Sequence, residues 1–303
     1  MDAILITGPT ASGKSALAVQ LAKRHDGEVI NADSMQVYGV LNVLTARPQP
    51  VEMEGAPHHL YGEISPADTF STGDWLRRAT ACMAEIRSRG RLPIFVGGTG
   101  LYFKALTGGL SEMPEILPDV RAHWRMRLAQ EGPEALHATL SESDKVAAAA
   151  LSPADGQRIV RALEVWETSG KSIRHFQTAS GPMIVDPAKA LKVIVEPARP
   201  VLHDRINRRF GQMMDIGAVD EARALLALDL PGAMPAMKAI GVRQIGDMLG
   251  GAISREQAIE RACLDAPPRA NTPSDNRHGF ATRWTPIGDA SRLRRPIRRL
   301  LYG

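Results

Sequence analysis

Eight residues near the amino terminus constrain this chain more than any others. They are Gly8-Pro9-Thr10-Ala11-Ser12-Gly13-Lys14-Ser15, a complete G-x-x-x-x-G-K-[ST] loop. Their setting matters as much as their spelling. Ala3-Ile4-Leu5-Ile6 is an apolar run of buried-strand type, and residues 15–22 repeat apolar positions at helical spacing. Strand, glycine loop and helix together describe a P-loop rather than an ordinary glycine turn. Gly8 and Gly13 let the backbone turn so that its N–H groups line an anion cradle. The helix N-terminus adds partial positive charge. Lys14 supplies a point charge for a phosphate, and the Ser15 hydroxyl is a candidate Mg2+ ligand. The loop predicts a phosphate or diphosphate ligand within an α/β fold, without saying whose phosphate it is.

The 303 residues leave room for one large domain or two modest ones. A formal charge of +4 permits a polyanionic partner. Two cysteines, Cys82 and Cys263, stand far apart with no CxxC spacing, so a reducing cytosol is expected. No apolar run reaches membrane-spanning length.

Gly27 to Ala32 reads as a short strand ending in Asp33-Ser34-Met35-Gln36-Val37-Tyr38. Residues just past a parallel strand's carboxyl end face the ligand crevice, which puts Asp33 near the P-loop. Asp33 reads either as a turn former or N-cap, or as a base or water-mediated Mg2+ contact. Residues 39–66 read as a loop-rich segment, and His58-His59 lacks further ligands at zinc spacing. A helix is expected over 70–90. The next strand, Leu92 to Val96, ends in Gly97-Gly98-Thr99 where a P-loop ATPase carries an acidic residue, which argues against ordinary ATP hydrolysis. From 112 to 184 helical patterns at 119–131, 133–140, 144–150 and 155–168 predict an all-helical insertion. Asp155 is the expected N-cap of its last helix, on which Arg158 and Arg161 share a face. Strand returns at Leu191 to Val195, and the following helix carries Arg205 and Arg209 one turn apart, able to converge on an anion. The expected fold is thus α/β: a P-loop NTPase-like core over 1–111 and 185–264, with a mostly parallel sheet flanked by helices, and the helical insertion between.

Taken in order, these stretches resemble the tRNA dimethylallyltransferases. The P-loop, Asp33 to Tyr38, Val96-Gly97-Gly98-Thr99-Gly100-Leu101-Tyr102-Phe103-Lys104-Ala105-Leu106, Asp155 with Gln157 to Val165, the Arg205 and Arg209 helix, and Ala239-Ile240-Gly241 all match. The resemblance implies transfer of a dimethylallyl group from dimethylallyl diphosphate to N6 of adenosine 37 in the anticodon stem-loop of tRNA. It implies that residues 8–15 hold the diphosphate, with Ser15 linked to Mg2+. It makes Asp33 the general base, and Thr10 and Arg209 the groups that bind the leaving diphosphate. Contacts to tRNA are implied for Asp33, Ser34, Met35 and Gln36, for Thr99 and Arg121, for Gln157, Arg158, Ile159, Val160 and Arg161, and for Lys238, Ala239, Ile240, Gly241, Val242 and Arg243. A cytoplasmic monomer is expected.

Some residues depart from the family pattern. Leu44 stands where the family has glycine in Gly-Thr-Ala-Lys-Pro, Asn42 where it has Asp, and Val242-Arg243 where it has Tyr-Lys. The segment 265–303 departs wholly. The family continues with a motif like Ala-Thr-Arg-Gln-Tyr-Ala-Lys-Arg-Gln, whereas this chain carries Pro267, Pro268 and Pro273, which make a poor helix. Codons GCC for Ala270, then AAT, ACG, CCA, AGC, GAC and AAC for Asn271 to Asn276, give Gln-Tyr-Ala-Lys-Arg-Gln when read from the last base of the Ala270 codon. A frameshift near Asp265 is therefore expected, with 265–303 read out of frame and poorly packed.

Overall fold

The computed structural model describes residues 1–179, 181–266 and 284–288. Among them six strands form one sheet: β1 (Ala3–Thr7), β2 (Gly27–Asn31), β3 (His58–His59), β4 (Leu92–Gly97), β5 (Ala190–Val195) and β6 (Thr285–Ile287). Their spatial order is β3-β2-β4-β1-β5-β6, and every neighbouring pair is parallel. The helices are α1 (Lys14–His25), α2 (Pro50–Met53), α3 (Thr72–Ser88), α4 (Gly100–Gly108), α5 (Pro118–Ser143), α6 (Lys145–Ala148), α7 (Gly156–Ser169), α8 (Ile173–Gln177), α9 (Arg199–Asp215), α10 (Ala218–Leu226), α11 (Val242–Leu249) and α12 (Arg255–Asp265). Among the described residues no helix is long and apolar enough to cross a membrane.

The central strands are apolar on both faces because helices cover both. Successive side chains on a strand point to opposite sides. Ala3 and Leu5 of β1, Ile30 of β2, Phe95 of β4 and Ile194 of β5 join Trp75, Ala79 and Ile86 of α3 and Phe103 of α4. Ile4, Ile6, Val29, Ile94, Val96, Val193 and Val195 pack instead on Leu17, Ala18 and Leu21 of α1. Each fully buried Leu, Ile or Phe here contributes roughly 1.5–3 kcal/mol. A third cluster joins Tyr38, Leu41 and Leu44 to Phe210, Met214, Val242 and Ile245.

The chain divides into two compact units, residues 108–182 and the remainder. The helical unit begins a little earlier than the composition change suggests, at Gly108, and the next residue, Gly109, has a φ of +73°. A side chain there would strike the Gly181 carbonyl, so the chain's way in and way out of this unit close against each other. Its core is Trp124, Leu136, Leu140, Ile159, Leu163 and their neighbours. Helix α5 breaks at Gly132 (φ 83°), as the separate patterns at 119–131 and 133–140 anticipate. Glycine accepts the left-handed turn, and Pro133 then opens the next helical segment, where its missing N–H costs least. Asp155 caps α7 by accepting from the Arg158 N–H at 3.3 Å.

Within the loop-rich residues 39–66 lie the short elements α2 and β3. One feature differs from the sequence reading. Strand β6 lies inside the stretch expected to pack poorly, yet it pairs with β5, and Trp284 is buried edge-on against Phe103. An open sheet edge pairs with any short extended segment, so three residues suffice. Residues 267–283 and 289–303, which carry the rest of that expectation, lie outside the described residues.

Candidate active site

The P-loop follows β1 at the carboxyl end of the sheet. Gly13 (φ 93°) and Ala11 (φ 62°) adopt left-handed conformations, which turn backbone N–H groups inward. Helix α1 starts at Lys14 with no side-chain cap and no acidic residue in its first turn. Its first N–H groups and its dipole are thus free to meet an anion. A Cβ on Gly8 would stand 2.6 Å from the Val195 carbonyl and 2.8 Å from Ser12 Oγ, so only glycine fits there. Two hydroxyls, Thr7 Oγ1 and Ser12 Oγ, are buried without a hydrogen-bond partner. Orphaned donors beside an anion cradle are what a bound phosphate would satisfy.

Lys14 donates from Nζ to the Pro9 carbonyl at 3.1 Å. Burial lowers its pKa from the ordinary 10.5; the Asp33 carboxylate opposes that shift, and Arg209 adds to it. Arg209, on α9, is itself partly buried, and burial lowers its pKa while Glu52 pulls the other way. Lys14, Asp33 and Arg209 therefore share one electrostatic neighbourhood, assembled from three elements distant in sequence. Thr10 is exposed at the lip of the loop, and Ser15 is half-buried in the first turn of α1.

Asp33 follows β2. Its Oδ1 accepts the Met35 N–H at 2.9 Å. Its Oδ2 faces Gly98: a Cβ on Gly98 would lie 3.4 Å from Oδ2 and 3.8 Å from the Gly8 carbonyl. The free carboxylate oxygen and the P-loop thus border one small space, kept open by a glycine. Gly97 is tighter still, since its Cβ would fall 2.0 Å from the Ala32 carbonyl. Asp33 thus forms the turn with one oxygen and leaves the other directed toward that space.

Other expected contact residues divide by what their side chains already do. The Thr99 hydroxyl accepts the Ser34 N–H at 2.9 Å and donates to Ser34 Oγ at 3.2 Å. Gln36 Nε2 donates to the Thr45 and Ala46 carbonyls at 2.9 and 3.1 Å. Ser34, Met35 and Ile240 are half-buried and Gly241 is buried, while Lys238 and Arg243 are exposed. Arg243 reaches Asp265 at 3.3 Å. Ala239 and Val242 are buried in the cluster around Phe210, where their side chains pack. Leu44, the departure from glycine, is absorbed in that cluster. Asn42 Oδ1 accepts from Arg47 Nε and Gln49 Nε2.

In the helical unit, Glu164 is nearly buried and draws two arginines to itself: Arg161 at 3.2 Å and Arg121 at 4.0 Å. Arg158 is exposed and reaches Asp155 at 3.2 Å, and Gln157 is exposed. Ile159 and Val160 are buried, with Ile159 at 0% exposure. They were expected among the contacts, but a 3.6-residue period turns them into the core, while Arg158 faces out and Arg161 lies half-buried against Glu164.

A residue that sequence reasoning did not single out is Asn31, at the end of β2 and fully buried. A polar residue closing the strand directly after apolar Val29 and Ile30 was the available signal. Its amide bonds the backbone of Asp33 on both sides.

The donor set fits a hard cation only in part. Among the described residues no group of three or more His, Cys, Asp or Glu could hold a metal. Mg2+ commonly takes most of its oxygens from water and substrate phosphates, and the Ser15 hydroxyl beside the cradle fits that arrangement.

Residues 36–266 match the family model described as IPP transferase, and residues 1–61 match a model described as Isopentenyl transferase. Among curated relatives, the tRNA dimethylallyltransferase of Rhizobium johnstonii is 61% identical over 261 residues, covering 86% of this chain and 88% of the relative. That of Rhizobium meliloti is 63% identical over 260 residues, covering 86% of each. Among solved structures, a tRNA isopentenylpyrophosphate transferase from Bacillus halodurans superimposes with a TM-score of 0.64 at 34% identity, covering 95% of this chain and 91% of the other. A eukaryotic dimethylallyltransferase acting on tRNA gives a TM-score of 0.74 at 25% identity, covering 87% and 66%.

Proposed function

The chain belongs to the IPP transferase family, the tRNA dimethylallyltransferases, and from that premise we propose the course of its reaction. The donor is dimethylallyl diphosphate, and the acceptor is N6 of adenosine 37 in a tRNA anticodon loop. The C1–O bond of the donor breaks, the N6–C1 bond forms, and one N6 proton passes to Asp33. Diphosphate leaves. The single observation that carries this reading is the shared border of Asp33 Oδ2 and the P-loop at Gly98.

Negative charge grows on the diphosphate as the allylic bond breaks. The inward N–H groups of residues 8–15, the Lys14 ammonium and the Arg209 guanidinium supply fixed positive charge to meet it. Thr10, at the lip of the loop, is the candidate donor to the leaving oxygens. Mg2+, held by the Ser15 hydroxyl together with diphosphate oxygens, would neutralise part of that charge. An exocyclic adenine amine is a poor nucleophile because its lone pair is delocalised into the ring. A hydrogen bond to Asp33 Oδ2 orients that amine and takes its proton as the new bond forms. The base must leave its stack to arrive there, and an unpaired anticodon loop lowers that cost. Arg121, Arg158 and Arg161 are candidate contacts to the phosphate backbone. Two free thiols, Cys82 and Cys263, agree with a reducing cytoplasm.

The test is incubation with dimethylallyl diphosphate, Mg2+ and bulk tRNA, followed by nucleoside analysis, with free adenine nucleotide as a parallel acceptor. Prenylated adenosine should appear in the tRNA arm. Product confined to free nucleotide would reject tRNA as the acceptor.

A further inference from the structure

The Asn31 side chain is fully buried, and burying an amide is costly unless it is paired. Each of its three hydrogen bonds goes to backbone. Oδ1 accepts the Asp33 N–H at 2.9 Å, and Nδ2 donates to the Asp33 carbonyl at 3.0 Å and to the Leu60 carbonyl at 3.0 Å. Gripping both the N–H and the C=O of one residue fixes the peptide planes on either side of it. The direction in which Asp33 projects its side chain is therefore set by Asn31.

The carboxylate is then fixed in rotation by Met35, whose N–H takes Oδ1. The next N–H, that of Ser34, goes to Thr99 Oγ1. Three successive N–H groups, of Asp33, Ser34 and Met35, are thus each bound by a side chain. Only Oδ2 remains directed toward the space at Gly98.

We infer that Asn31 is a positioning residue for the transfer, holding the Asp33 backbone so that Oδ2 is presented to the adenine amine. The inference rests on the reading of Asp33 as the base. A rival role exists, since Asn31 also ties β2 to Leu60 and could serve the fold alone. The two roles are separable. The anchor to the core runs through the Asn31 main chain, whose carbonyl accepts from Trp75 Nε1 at 2.8 Å, and a side-chain substitution leaves that bond in place.

The experiment is a double-mutant cycle on the full chain with Asn31→Ala, Asp33→Asn and the pair, reading kcat, KM for both substrates, and Tm. Misplacing a reacting group by about 1 Å costs on the order of a hundredfold. Asn31→Ala should therefore lower kcat about ten- to a hundredfold, with both KM values within about twofold. In the Asp33→Asn background the same substitution should have almost no effect on kcat, because the group it positions is already disabled. Additive losses would overturn the positioning role while leaving Asp33 as base. So would a loss carried by KM, or one explained by a smaller folded fraction. Near-normal turnover of Asp33→Asn alone would remove the base itself, and this inference with it. If Asn31→Ala does not fold, Asn31→Asp carries the cycle, since it keeps the shape and one acceptor but lacks the two donated bonds.

Discussion

Burial lowers the proton affinity of Lys14, Asp33 opposes that, and Arg209 adds to it. In the proposed reaction the ammonium must nevertheless be charged when the diphosphate arrives. Donor binding should therefore weaken with rising pH at values where an ordinary lysine, with its pKa of 10.5, is still protonated. Measured as KM for dimethylallyl diphosphate against pH, the alkaline limb should begin below 10.5. In Lys14→Arg, where the charge persists to higher pH, that limb should vanish whatever the baseline KM becomes. A limb unchanged by the substitution would assign the titration to another group. Gly97 gives a second residue-scale prediction. A Cβ 2.0 Å from the Ala32 carbonyl cannot be relieved without parting β2 from β4. Gly97→Ala should cost at least about 2 kcal/mol in denaturant unfolding. What sequence reveals at this scale is local. Gly8, Gly13, Lys14, Asp33 and Gly98 were legible because their positions at strand ends and in a fixed motif already imply their surroundings. Asn31 was not, because a partner 29 residues away, the Leu60 carbonyl, is decided by tertiary packing. The bonds of Thr99 to Ser34 were hidden for the same reason: a hydroxyl shows its bonding capacity, not its partner.

At the scale of elements, α7 separates two kinds of residue that adjoin in sequence. Arg158 faces out and Arg161 lies half-buried against Glu164, whereas Ile159 is fully buried in the helical unit's core. Arg158→Ala should weaken tRNA binding and reduce its dependence on salt by about one counterion, while thermal stability holds. Ile159→Ala should instead cost about 2–4 kcal/mol of stability. Binding titrations at several salt concentrations beside unfolding curves read the two apart. Loss of stability in both variants would mean that Arg158 is structural. Strand β2 poses an electrostatic question at its far end, away from the P-loop. Burial alone would raise the pKa of Glu28, but hydrogen bonds from Arg89, His59 and Arg91 outweigh it and hold the carboxyl at about 2, against an ordinary 4.5. Because the folded-state value is depressed, the stabilisation is present above 4.5 and is lost as pH falls through about 2. The shift corresponds to something on the order of 3 kcal/mol. Glu28→Gln should be less stable at neutral pH and show a flatter loss of stability across that acid window. Strands of two or three residues, such as β3 and β6, escaped the sequence reading because no period can be seen in so short a run.

At the scale of the whole molecule, the sequence match to the family stops abruptly. The family match ends at residue 266, and relatives about 60% identical align over 260 or 261 of the 303 residues. Beyond that point Pro267, Pro268 and Pro273 stand where a basic helical motif is expected. Divergence by substitution would erode a helix residue by residue; it would not leave the motif readable in the neighbouring frame. In the codon argument the first two bases of nearly every codon are dictated by the residue itself, so freedom lies only in synonymous bases. The hypothesis is a single-base frameshift near Asp265, in the gene or in its reading. Sequencing that region should find synonymous choices that encode Ala-Thr-Arg-Gln-Tyr-Ala-Lys-Arg-Gln and then Trp-Phe-Arg in the adjacent frame. Other synonymous choices would end the idea outright. A second measurement asks whether the change matters. With the frame restored, tRNA affinity and turnover should rise, because the restored segment regains cations spaced along a helix rather than the scattered Arg292, Arg294, Arg295, Arg298 and Arg299. KM for dimethylallyl diphosphate should stay nearly constant, since its proposed cradle is built from residues 8–15 and Arg209. Equal tRNA affinity in the two chains would show that the present tail already does that work.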